Sequence, residues 1–219
     1  MAKTARPGDG FKVAMRGKFI TFEGSEGSGK STQSALALEY LQSKKLPVVL
    51  LREPGGVKIS EQIRKLLLDV KSEGMGDECE TLLYMAARAQ MVKEILEPQL
   101  KSGKIIICDR FLDSTIAYQG YGNGVDVKTI ESLGAFATKG IGPDLTILFD
   151  IKPEDGLSRA GAKKDRIESR SLDYHHRVRQ GYLDLSKKYP ARIKLIKVDA
   201  GKEEIFKRVK AHLDAVLSL

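Results

Sequence analysis

Nine consecutive residues constrain this chain more than any other stretch: Gly24-Ser25-Glu26-Gly27-Ser28-Gly29-Lys30-Ser31-Thr32. They follow the apolar run Phe19–Phe22 and open a helical pattern over Lys30–Ser43. Glycines so placed let the backbone curl until successive N–H groups face one point, and the N-terminus of the next helix adds its partial positive charge there. A polyphosphate suits such a cradle. Lys30 is spaced to reach its β- and γ-phosphates, and the Ser31 hydroxyl to ligate Mg²⁺. The strand before and the helix after separate this P-loop from a glycine-rich turn that matches by chance. A nucleoside triphosphate is therefore expected on Gly24, Ser25, Glu26, Gly27, Ser28, Gly29, Lys30, Ser31 and Thr32, with no reaction yet implied.

The remainder alternates as such a loop requires. The stretches Phe19–Phe22, Val48–Leu51, Ile105–Asp109, Leu145–Asp150 and Ile193–Val198 are rich in Ile, Val, Leu and Phe on consecutive positions, the pattern of strands covered on both faces. Helical patterns lie between them at Lys30–Ser43, Ile59–Asp69, Glu80–Leu100, Val127–Lys139, Pro153–Ala160, Leu172–Lys187 and Glu203–Leu217. The order predicts an α/β protein of the three-layer P-loop NTPase fold, a five-stranded parallel sheet with helices on both faces. Residues 1–17, with Pro7, Gly8, Gly10 and Gly17, read as a tail, and residues 18–219 as a single domain. The polar, basic segment Gly161–Ser171 reads as a mobile lid spanning about residues 159–170.

Charge and cysteines exclude several classes. The net charge is +8, which alone would point to a nucleic acid. The excess sits at the two ends and around residues 159–179, however, while residues 19–158 carry a net −4. Aromatic residues make up only 6% and Trp is absent, against the interleaved basic and aromatic pattern of a single-strand binder, so no nucleic-acid partner is expected. No apolar run is long enough for a bilayer, and the basic N-terminus lacks the apolar stretch of a secretory signal. Cys79 and Cys108 are far apart and read as reduced thiols of a cytoplasmic protein.

Ligands of an open parallel sheet bind beyond the carboxyl ends of its strands, so those ends carry the next evidence. The second ends in Leu51-Arg52-Glu53-Pro54-Gly55-Gly56 and the third in Cys108-Asp109-Arg110. Asp109 is placed to orient Mg²⁺, and Arg110 to clamp a phosphate; each alone reads equally well as half of a structural ion pair. A GTPase would carry DxxG and NKxD, yet Asn123 is the only Asn and no Asp has Gly three residues on. A small P-loop chain with a late basic lid points to a nucleotide kinase.

Several stretches together carry a resemblance: Phe22–Thr32, Arg52–Gly56, Leu83–Arg88, Asp109-Arg110 with Asp113–Gly120, Pro143–Thr146 and Asp165–Glu168. Over nearly all of residues 18–212 the chain resembles bacterial-type thymidylate kinases. The resemblance implies phosphorylation of dTMP to dTDP by ATP with Mg²⁺, and a homodimer. It implies that Arg52 and Arg110 hold the dTMP phosphate beside Pro54. Tyr84 would stack on thymine, Arg88 would reach a thymine carbonyl, and Ser114, Thr115 and Gln119 would lie near the nucleotide. Tyr118 would pack on the deoxyribose and Glu26 would face the 3′-hydroxyl. Lys30, Arg110 and the lid arginines Arg159 and Arg166 would be catalytic, with Ser31 and Asp109 at the metal. Val57, where Thr is common, and Phe111, where Tyr or His is frequent, depart from the family pattern.

Spacing supports part of this independently, since Tyr84 and Arg88 are i, i+4 on one helical pattern. Taken alone, the same pattern reads more readily as a core tyrosine beside a solvated arginine. His175-His176 lack metal spacing, Cys108 reads as core, and Lys163-Lys164 fit a solvated run as well as a phosphate contact. The acidic stretch Glu73–Glu80 reads as a solvated connector. A kinase for another nucleoside monophosphate and a P-loop nucleic-acid-binding protein are the rival readings.

Overall fold

Alternate residues of a strand leave the backbone on opposite faces, and both faces of the Ile105–Asp109 run are covered. In the computed structural model, which describes residues 17–159 and 165–219, Ile105 and Ile107 pack among Phe22, Leu41 and Val209. Ile106 and Cys108 pack on the other face among Phe19, Met91 and Leu96. The strands are β1 (Phe19–Gly24), β2 (Val48–Arg52), β3 (Ile105–Asp109), β4 (Leu145–Asp150) and β5 (Ile193–Lys197). They form one parallel sheet in the order β2-β3-β1-β4-β5. The helices are α1 (Lys30–Ser43), α2 (Lys58–Leu68), α3 (Asp77–Met91), α4 (Glu97–Lys101), α5 (Leu112–Thr115), α6 (Val127–Thr138), α7 (Pro153–Arg159), α8 (Leu172–Lys188) and α9 (Lys202–Leu217). Helices α1 and α9 supply Ala37, Leu41, Ile205 and Leu213 to one face of the sheet.

Register places the site. Arg52 lies opposite Asp109, and Asp109 opposite Phe22. Strands β1, β2 and β3 therefore end together, which brings the P-loop, Arg52 and Asp109 to one edge. Strands β2 and β3 lie to one side of β1 and β4 and β5 to the other, so the loop after β1 sits where the strand order reverses.

Two helical segments differ from expectation. The pattern over Glu80–Leu100 resolves into α3, a π turn at Val92–Leu96 and α4, with Pro98 at the start of α4. Proline has no N–H to return to the preceding turn, and a wider turn accommodates the loss. Asp109-Arg110 is followed at once by α5 and a π turn, Ile116–Gly122, where apolar periodicity gave no helix. Two glycines and a buried aromatic run hide the period there. The expected tail, residues 1–17, lies outside the described residues except for Gly17, whose N–H donates to the Leu100 carbonyl at 2.9 Å. Residues 160–164 of the expected lid, with Lys163 and Lys164, also lie outside them.

The P-loop closes against α7. Gly27 has φ 64°, and a Cβ on it would lie 2.0 Å from the Gly156 carbonyl oxygen. A Cβ on Gly156 would lie 2.3 Å from the Glu26 carbonyl oxygen, so the two backbones touch with no room for a side chain. Elsewhere the fold rests on its sheet core, and Ile107, fully buried in β3, is a fair probe of it. Ile107→Ala should cost about 2–5 kcal/mol, measured by urea unfolding; a smaller loss would mean the two layers repack around the gap.

Candidate active site

Three strand ends and residues of α1, α2, α3 and α5 enclose a cavity of about 310 Å³. The P-loop forms one end. Its Lys30 Nζ donates to the Ser25 carbonyl at 2.7 Å, and the Ser31 hydroxyl donates to Asp109 Oδ2 at 2.6 Å. Burial, with repulsion from Arg110, lowers the Lys30 pKa to about 8 against the pull of Glu26 and Asp109.

Arg110 dominates the middle. It adopts φ 71°, a left-handed backbone unusual for a non-glycine residue. Hydrogen bonds on both sides hold it there: its own N–H donates to Phe22 O at 3.0 Å, and the next N–H, of Phe111, donates to Glu23 Oε1 at 2.8 Å. Its guanidinium donates to Glu26 Oε1 at 3.0 Å and to the Gly24 carbonyl at 3.0 Å, above the Tyr118 ring. Tyr118 donates to the same Glu26 oxygen at 2.6 Å. Burial pushes the Glu26 pKa up, but Arg110, Lys30 and the Tyr118 hydroxyl outweigh it, and the net shift is downward. Glu26 Oε2 has no hydrogen-bond partner among the described residues; His175 Nδ1 lies 3.6 Å from it.

The far end holds Tyr84 and Arg88 of α3. Tyr84 is half-buried on the wall, and Arg88, one helical turn on, is 2% exposed. Arg88 donates through Nε to Glu53 Oε2 at 2.8 Å and through Nη2 to Thr115 Oγ1 at 3.0 Å, with its guanidinium carbon 5.2 Å from the Phe111 ring centre. This is the opposite of a core tyrosine beside a solvated arginine. Burial raises the Glu53 pKa despite Arg88.

Every residue expected around dTMP lines this cavity: Glu26, Arg52, Pro54, Tyr84, Arg88, Arg110, Ser114, Thr115, Tyr118 and Gln119. Of the loop, Glu26, Gly27, Lys30 and Ser31 do so, whereas Gly24, Ser25 and Ser28 are buried behind them and Gly29 and Thr32 are exposed outside the cavity. Arg52 also bonds Glu61 Oε1 at 2.8 Å. The two lid arginines are elsewhere. Arg159 is exposed at the end of α7. Arg166 donates to the Leu67 carbonyl at 2.8 Å, capping α2, and pairs with Glu80 at 2.6 Å. Glu80 itself is fully buried, which corrects the reading of Glu73–Glu80 as a solvated connector. It points inward from the first turn of α3, three residues beyond the start of the helix at Asp77. Sequence reading also passed over Glu23, Glu53 and Arg64. Glu53 lay inside a motif already quoted; Glu23, inside an apolar strand, gave only the signal of a carboxylate where burial was expected.

The family profile described as thymidylate kinase matches residues 22–209. The thymidylate kinase of Carboxydothermus hydrogenoformans is 48% identical over 206 residues, covering 92% of this chain and 99% of its own. That of Symbiobacterium thermophilum is 45% identical over 200 residues, covering 91% and 94%. The crystal structure of thymidylate kinase from Ehrlichia chaffeensis superposes with a TM-score of 0.75 at 37% identity, covering 90% of this chain and 99% of that one.

Glu23 gives the site a measurable pH signature. Burial, then Asp113, raises its pKa to about 7 from the ordinary 4.5. Between about pH 4.5 and 7 the native state therefore holds this proton more firmly than the unfolded chain does, and its contribution to stability falls as pH rises through that window. Urea unfolding at pH 5 and pH 7.5 should show wild type losing stability relative to Glu23→Gln at the higher pH. A constant difference between the two proteins would refute it.

Proposed function

The chain belongs to the thymidylate kinase family, and we propose that its cavity is where the γ-phosphoryl group of ATP passes to dTMP, giving ADP and dTDP. The observation that carries this reading is that one cavity wall gathers every residue assigned to dTMP, with Lys30 and Ser31 of the P-loop at its end. Arg52 and Arg110 hold the dTMP phosphate. Tyr84 stacks on thymine, Arg88 donates to a ring carbonyl, and Tyr118 lies along the deoxyribose. Glu26 accepts from the 3′-hydroxyl, a role supported by its buried Oε2, which has no hydrogen-bond partner among the described residues.

A phosphate oxygen of dTMP is the nucleophile. A phosphomonoester is largely a dianion at pH 7, because its second pKa is about 6, so no base has to remove a proton. One P–O bond forms to the γ-phosphorus as the bond to the ADP oxygen breaks, and the electron pair leaves with ADP. The obstacle is the meeting of two polyanions, so catalysis is alignment and charge neutralisation. Lys30 and Arg110 supply the fixed charge. Ser31 and Asp109, touching at 2.6 Å, are hard oxygen donors of the kind Mg²⁺ takes together with phosphate oxygens and water. When bound there, the ion neutralises phosphate charge. Arg159 and Arg166 complete the set when the lid closes, Arg166 by leaving Glu80.

The domain spans residues 18–219 and works in the cytoplasm. It pairs with a second copy through the exposed apolar side chains Ile59 and Leu66 of α2, Leu82 of α3 and Phe136 of α6. Sedimentation should give a dimer mass that Leu66→Asp reduces to that of a monomer; an unchanged mass would move the interface elsewhere.

An ADP-release assay over a panel of nucleoside monophosphates tests the main reading: dTMP should be preferred, and activity only with another base would overturn it. Arg110→Ala should raise KM for dTMP far more than KM for ATP. Arg159→Ala should lower kcat about 10²-fold without changing thermal stability, whereas Arg166→Ala should lower both, because it uncaps α2 and strips a cation from Glu80.

A further inference from the structure

A glutamine amide can show a base either its oxygen or its NH₂, and the two choices read opposite partners. Thymine presents a donor at N3–H and an acceptor at O4; cytosine presents an acceptor at N3 and a donor at its amino group. Arg88 is donor-only and held by Glu53 and Thr115, so it cannot change what it offers. Gln119 can, unless something behind it decides.

Glu80 stands behind it. Its Oε1 accepts from Gln119 Nε2 at 2.8 Å and from Asn123 Nδ2 at 3.1 Å. Its Oε2 accepts from Arg166 at 2.6 Å and Arg170 at 2.7 Å. Arg170 also donates to Asn123 Oδ1, so the orientation of that amide is settled too. A carboxylate beside two guanidinium groups offers acceptors only. The NH₂ of Gln119 must therefore face Glu80, and its oxygen is left for the cavity that the residue lines.

Resting on the reading of the cavity as a pyrimidine nucleotide site, we propose that Glu80 is a positioning residue for base selection: it locks the Gln119 amide with Oε1 toward the base, so that a ring with N3–H is accepted and one with a bare N3 is refused. Arg166 and Arg170 occupy Oε2, so Oε1 is the oxygen that the Gln119 amide meets.

The test is the ratio of kcat/KM for dTMP to that for dCMP, with ATP in excess, in four proteins. Wild type should prefer dTMP strongly; if it does not, the substrate reading fails and Glu80 is not at issue. Glu80→Gln should narrow the ratio about tenfold or more, since the amide is then free to turn. Equal losses on both substrates would mean a structural role alone and overturn the proposal. Arg170→Ala leaves the Oε1 arm intact and should keep the ratio near wild type; a collapse there would overturn it. The double variant Glu80→Gln, Gln119→Glu exchanges carboxylate and amide and again leaves an oxygen toward the base. It should recover dTMP preference, and a folded double variant without preference refutes the lock even where Glu80→Gln alone does not fold.

Discussion

A site built to receive anions must hold cations out of water before the anions arrive, and that requirement organises this molecule. Most arginines in the cavity wall or just behind it have a carboxylate to lean on: Arg52 has Glu61, Arg88 has Glu53, Arg110 has Glu26, and Arg166 and Arg170 share Glu80, whereas Arg64 donates to the Pro54 carbonyl. A buried guanidinium left alone would carry a desolvation cost of several kcal/mol. Paired, it stays charged, oriented and able to exchange part of its hydrogen bonding for a phosphate or a carbonyl.

Geometry at the strand ends turns those charges into a site. Parallel register aligns Phe22, Asp109 and Arg52, and the left-handed Arg110 then turns the chain so that its guanidinium reaches back over the P-loop. Glu23 secures that turn from inside the sheet while Glu26 receives the side chain from the loop. Two carboxylates three residues apart thus serve one arginine, one through the neighbouring backbone and one through the side chain.

Much of this was legible in the sequence for a physical reason: β strands buried on both faces leave continuous apolar runs, and a P-loop needs its glycines and lysine at fixed spacing. Four of the five strands and the motif were readable that way, while β5 showed through Ile193, Leu195 and Ile196 despite its two lysines. The helix from Leu112 onward was not, because its pattern is broken by glycines and by a wide turn, and neither was the break before Pro98. The cavity-facing residues were visible through motifs. Their supports were harder to see, because a buried glutamate looks like a surface one until its partners, Arg166 some ninety residues away from Glu80 among them, are brought beside it. For the same reason the sequence sent Arg166 to the phosphates and said nothing of its hold on α2.

The contact between Gly27 and Gly156 has a mechanical meaning. Two backbone surfaces without side chains can slide and tilt on each other with little interlocking, as a plain bearing does. The P-loop is on one side of that bearing, and α7, which ends at Arg159, is on the other. Any side chain at either position would pin the loop to the root of α7, and none is there to do so.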